Sequence, residues 1–175
     1  MLSNVLLHHW RWPVFAIIAS FAMLGGAHAF ERIGMMAPCP LCLRQREVYW
    51  AAIAMAVTGL ALWRMRPSDQ FITALNVLMG MVFITGAVVA FYHAGVELKF
   101  WEGPAGCSAT PSSNSVVETD LLSALGKPMA TGNCGEVPWS LLGISMAGWN
   151  GLISAGLAIM SFAAARATVI YRRAL

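Results

Sequence analysis

Charge is what this sequence has least of. Of its 175 residues, 11% are Asp, Glu, Lys or Arg and 58% are hydrophobic. A soluble domain carries about 25% charged residues, so a water-facing globule is excluded and a lipid solvent is implied. The net charge of +3 is small and the basic residues are scattered, which excludes a nucleic-acid-binding surface. The length leaves room for one compact domain and none for a separate soluble enzyme. No internal repeat or low-complexity tract is present. Cysteine is scarce too: Cys39, Cys42, Cys107 and Cys134 are the whole set. Four are too few for the disulfide scaffold of a small secreted fold. They allow three pairings, between which the sequence alone does not choose. Two redox pairs, a four-thiolate metal site and two structural bridges all remain open.

What the chain does have is long apolar runs. They cover about residues 13–30, 43–63, 71–92 and 141–165. Each is about 18–25 residues, enough at ~1.5 Å per residue to cross a ~30 Å hydrocarbon core. Glycines inside them (Gly59, Gly80, Gly86, Gly151 among others) would weaken a soluble helix but allow close helix packing in lipid. The expected fold is an all-α membrane protein, a single bundle of four transmembrane helices over residues 1–175. Short connections are expected at 31–42 and 64–70, and a long outward loop at 93–140. In that loop, Ser115 to Glu118 reads as a capping box. It opens a short helix with Val117, Leu121, Leu122 and Leu125 on one side, ended by Gly126 and Pro128. That helix either packs on the loop or lies on the membrane surface.

Charge asymmetry gives an orientation. Arg11, Arg64, Arg66, Arg166, Arg172 and Arg173 face only Asp69 on one side. On the other, Arg32, Lys99 and Lys127 are outnumbered by Glu31, Glu97, Glu102, Glu118, Asp120 and Glu136. The basic excess marks the cytoplasmic side, so both termini are predicted inside. Both cysteine-bearing loops are predicted outside, in a bacterium the oxidising periplasm. Ala27-His28-Ala29 after an apolar run also resembles a signal-peptide cleavage site. The run exceeds the usual 7–15 residue core of such peptides, so a retained first helix is expected.

Cys39-Pro40-Leu41-Cys42 stands where the second membrane helix begins. Unsatisfied N–H groups and the positive end of the helix dipole there favour a thiolate, the reactive form of cysteine. Arg46 lies one turn beyond Cys42 on the same face. It either stabilises that thiolate and binds a carbonyl oxygen of an acceptor, or snorkels to the interface, as Arg44 is expected to do. Cys107 and Cys134 lie 27 positions apart in a loop rich in Gly, Ser, Pro and Thr. A bridge between them would either expose a disulfide to another protein's thiolate or simply hold the loop. A zinc site is disfavoured because only one cysteine pair is closely spaced. No metal is expected. His8, His9, His28 and His93 form no ligand-spaced cluster, and by itself His93 reads as a capping or interfacial residue.

Taken together, these residues resemble the DsbB family of bacterial membrane disulfide-forming proteins over nearly the whole chain. The resemblance rests on Pro38 to Cys42 followed by Arg46, on Tyr92-His93, on Cys107 and Cys134, and on Trp139 to Gly143, in the family's order. It implies a thiol:quinone oxidoreductase of the inner membrane. Cys39 and Cys42 would be the quinone-coupled pair. Cys107 and Cys134 would meet a DsbA-like periplasmic dithiol oxidase. Cys107 would form the mixed disulfide, Cys134 would attack toward Cys39, and Cys42 would deliver electrons to ubiquinone or menaquinone. Arg46 and His93 match quinone-site positions. Gly103 to Gly106, before Cys107, departs from an apolar strip, which leaves the manner of partner docking open. A vitamin-K-epoxide-reductase-like protein would carry its C-x-x-C late in the chain rather than early. A non-enzymatic membrane scaffold with two structural bridges is the other reading.

Overall fold

The computed structural model describes residues 10–104, 107 and 132–174. Four helices dominate it: α1 (Arg11–Arg32), α2 (Pro40–Met65), α3 (Asp69–Glu97) and α4 (Met146–Ala174). All four are long and apolar enough to cross a membrane. The chain is thus an all-α, multi-pass membrane protein. The expected loop helix at 115–125 lies outside the described residues.

The helix ends differ from those of the apolar runs, and three of the differences have a local cause. Helix α2 starts at Pro40 rather than near 43, because proline suits the first helical position and the Cys39 sulfur accepts the Cys42 N–H as a cap, at 3.2 Å. Helix α3 runs to Glu97 rather than 92. Its last turn buries His93, Val96 and Glu97 against the bundle, so their polarity does not end it. Helix α4 starts at Met146 rather than 141. The residues before it form a tight hairpin, β1 (Ser140–Leu141) against β2 (Ile144–Ser145). Its two turn residues, Leu142 and Gly143, both adopt positive φ (55° and 78°), as the favoured two-residue hairpin turn requires.

Helices α3 and α4 form the most extensive contact, with α1 and α2 completing the bundle. Small residues let the helices approach: a side chain at Gly80 would strike Phe162, and one at Gly151 would strike Phe91. The core is built on Trp12, Ile72, Met79 and Phe83, all fully buried. Trp12 satisfies its indole N–H on Ser161, 2.9 Å away, so α1 is tied to α4 by a buried hydrogen bond. Many outward side chains, such as Ile18, Met81 and Ile159, are apolar and exposed, as a lipid-facing surface demands.

Candidate functional site

All four cysteines meet at one end of the bundle. Cys39, Cys107 and Cys134 are buried in one cluster with Leu41 and Val96, and Cys42 packs against it. Cys107 and Cys134 form a disulfide, which removes them from any four-thiolate zinc site. Cys39 and Cys42 are free, with their sulfurs 2.8 Å apart. The hydrogen bond with Cys42, aided by burial, pushes the Cys39 thiol above its ordinary range. The outer pair is therefore closed and the inner pair open.

Local structure explains how the distant cysteines arrive there. After α3, the chain folds back on itself. Trp101 stacks on Tyr92 at 5.8 Å and donates its N–H to the Tyr92 carbonyl at 2.9 Å. The space it fills is open because residue 95 is glycine. Cys107 N–H then donates to the Pro104 carbonyl at 2.9 Å. Cys134 N–H donates to the Cys107 carbonyl, and Gly132 N–H to the Pro38 carbonyl at 3.4 Å. The Cys134 segment thus lies directly on the loop that carries Cys39. A side chain at Gly132 would collide with the Ala37 carbonyl, so this approach requires glycine.

A cavity of about 520 Å³ opens beside the inner pair. Its walls are mostly apolar (Leu24, Phe30, Trp139, Ile153), and Cys39, Cys42, Arg46 and His93 also line it. Arg46 sits where its helical spacing from Cys42 suggests, but its guanidinium is held from α1. It donates to the Glu31 carboxylate and, at 3.2 Å, to the Ala27 carbonyl. Arg44, by contrast, pairs with Glu47 on the exposed surface. His93 is neither a cap nor an interfacial residue. It is buried, with Nε2 3.6 Å from the Cys39 sulfur and Nδ1 2.9 Å from the Gln45 amide. The Gln45 carbonyl accepts from Asn150 at 2.5 Å, and Asn150 accepts from the Tyr49 hydroxyl. Glu97 accepts from Ser145 and places its other oxygen 3.9 Å from His93 Nε2.

Sequence reasoning missed Glu31, Gln45, Tyr49, Glu97 and Asn150. The two glutamates were counted as loop charge. Gln45 and Asn150 did carry a signal, because a polar side chain inside an apolar membrane run is costly unless partnered. The partners, however, are on other helices and invisible to local spacing.

The comparisons with known proteins identify the family. The family model described as "Disulfide bond formation protein DsbB" matches residues 9–164. A disulfide bond formation protein B of Verminephrobacter eiseniae is 31% identical over 166 residues, covering 88% of this chain and 89% of that one. Those of Methylococcus capsulatus (31% identical, covering 80% and 84%) and Dechloromonas aromatica (32%, covering 79% and 86%) are similarly related. No solved structure matches. A four-helix membrane bundle with two cysteine pairs at one end, matched over most of its length by these proteins, belongs to the DsbB family of disulfide bond formation proteins.

Proposed function

We propose that this oxidoreductase withdraws electrons from a DsbA-like thioredoxin-fold dithiol through Cys107–Cys134 and passes them through Cys39–Cys42 to a membrane quinone, ubiquinone or menaquinone. The observation that carries the reading is the gathering of both pairs in one cluster, with Cys39 and Cys42 of that cluster also lining an apolar cavity. The cysteine end would face the periplasm and both termini the cytoplasm, following the charge asymmetry.

The exchanges balance step by step. A partner thiolate attacks Cys107, forming a mixed disulfide and freeing the Cys134 thiolate. Cys134 attacks Cys39 of the closed inner pair, and Cys42 leaves as a thiolate. The partner's second thiolate then resolves the mixed disulfide, so the partner departs oxidised and Cys107 is free. Cys107 attacks Cys134, restoring the outer bridge and releasing Cys39. The inner pair now holds two electrons.

The cavity suits a quinone, since its walls are apolar and Arg46 and His93 supply polar groups near Cys42. A quinone bound there would accept two electrons and two protons as the Cys39–Cys42 bond re-forms. Arg46 would hold a carbonyl oxygen with a donor that stays charged, and Glu31 fixes that donor's position. A strong acceptor is needed because a DsbA-type partner, at about −120 mV, is already a strong oxidant. Ordinary thiol exchange would have to run uphill by ~1.4 kcal/mol for each 30 mV.

The test mixes purified chain, reduced partner and a soluble quinone analogue without oxygen and follows quinone absorbance. Reduction by the unmodified chain and its loss in Cys42→Ser are expected. No reduction by the unmodified chain would refute the proposal. A chain with merely structural bridges would also fail to accumulate a partner adduct through Cys107 in Cys134→Ser.

A further inference from the structure

We infer that, once its inner pair is reduced, the chain binds a soft divalent metal ion, of the Zn²⁺ or Cd²⁺ class, through Cys39, Cys42 and His93. The Cys39 and Cys42 sulfurs and a His93 ring nitrogen all lie within 4.8 Å of one another. A tetrahedral ion with metal–sulfur bonds of about 2.3 Å and a metal–nitrogen bond of about 2.0 Å sets its ligand atoms roughly 3.5–3.8 Å apart. The Cys39 sulfur and His93 Nε2 already stand 3.6 Å apart. The two sulfurs, at 2.8 Å, must separate by about 1 Å, with the Cys42 sulfur, already within 4.8 Å of the His93 nitrogen, settling at the same tetrahedral spacing from it. Cys42 is half-buried on the cavity wall and has room to do so.

The surroundings of His93 are those of a metal ligand. A ligating imidazole is oriented by a hydrogen bond at its other nitrogen. Here Nδ1 meets the Gln45 amide at 2.9 Å, and Gln45 is in turn fixed by Asn150. This chain of amides keeps its bonds if Gln45 and Asn150 rotate together, because the Tyr49 hydroxyl can donate instead to Ser154, 3.0 Å away. In that arrangement Gln45 accepts the Nδ1 proton, and Nε2 is free to bind metal. The Glu97 carboxyl near Nε2 adds an acidic group that favours a cation. Cys39, Cys42 and His93 all line the cavity, from which water would supply the fourth ligand.

The site is gated by oxidation state. When Cys39 and Cys42 are joined, neither sulfur is a thiolate and the ligand set is lost. When they are open, binding forms two metal–sulfur bonds and releases two protons, with no change of oxidation state. The bound ion occupies the electron pairs that disulfide formation needs, so it holds the chain reduced and stops turnover. The three donors carry this inference, and it does not depend on what the cavity accepts.

The test uses the full-length chain in detergent with Cys107→Ser and Cys134→Ser, which leaves only the inner pair. Reduced with a phosphine and desalted without oxygen, it is titrated with Zn²⁺ against a chromophoric chelator. The same chain with the pair oxidised is the control, and no quinone is present. One ion per reduced chain and none at this site in the oxidised chain are expected. X-ray absorption should show two sulfurs at about 2.3 Å and an imidazole nitrogen at about 2.0 Å. Gln45→Leu should weaken binding roughly 10–100-fold. Equal affinity in the two oxidation states, or an absorption spectrum of the reduced chain without imidazole, overturns the inference. The second readout needs no change at His93, so misfolding of a His93 variant does not enter.

Discussion

Gly132→Ala tests whether the two cysteine pairs communicate through the contact that brings them together. An added methyl would approach the Ala37 carbonyl oxygen to well under the 3.0 Å that such carbons essentially never cross. Both partners are main chain, so no side-chain rotation relieves the clash. Restoring ordinary contact, which begins near 3.4 Å, pushes the Cys134 segment away from the Cys39 loop by on the order of 1 Å. Sulfur exchange requires the reacting atoms about 3–3.5 Å apart and aligned, and a displacement of that size costs on the order of 100-fold in rate. The expected defect is specific. Attack of a reduced partner on Cys107 should proceed normally, because the Cys107–Cys134 bridge is untouched. Transfer from Cys134 to Cys39 should slow by about two orders of magnitude. Rapid acid quench, alkylation and mass spectrometry resolve the two steps as separate disulfide species. If Gly132→Ala transfers at the unmodified rate while keeping its outer bridge, the docking of residues 132–134 on residues 37–39 has no part in the relay.

Two further outcomes follow from individual side chains. Arg46→Ala removes a charged donor from the cavity wall, and hydrogen bonds to charged groups contribute about 1.5–3 kcal/mol. Quinone affinity should fall roughly 10–100-fold, as measured by quinone titration of the purified chain; unchanged affinity would place the quinone elsewhere. Asn76 is fully buried in α3, and neither of its amide atoms has a hydrogen-bond partner among the described residues. Such a group costs about 1–3 kcal/mol, so Asn76→Leu should raise resistance to denaturing detergent by that amount. A loss of stability would show that Asn76 has a partner.

Which properties were legible in the sequence depends on how local their causes are. The four membrane helices follow from scarce charge and apolar runs of bilayer length, because burial in lipid is decided segment by segment. The C-x-x-C at a helix start and Arg46 one turn further on follow from helical geometry. The helix ends were less legible. Whether Pro40 opens α2 depends on a sulfur cap, and whether α3 runs on to Glu97 depends on burying that carboxyl against Ser145, 48 residues away.

The sequence by itself determined a multi-pass membrane chain with four cysteines in two of its connections, and its resemblance to a known family pointed to disulfide chemistry and to their pairing. Only the tertiary structure decided that all four sulfurs share one cluster, that Arg46 is gripped by Glu31, and that His93 turns inward onto Cys39. The physical reason is that periodicity records which face of a helix meets lipid, whereas a side chain's partner on another helix is set by packing across the whole bundle.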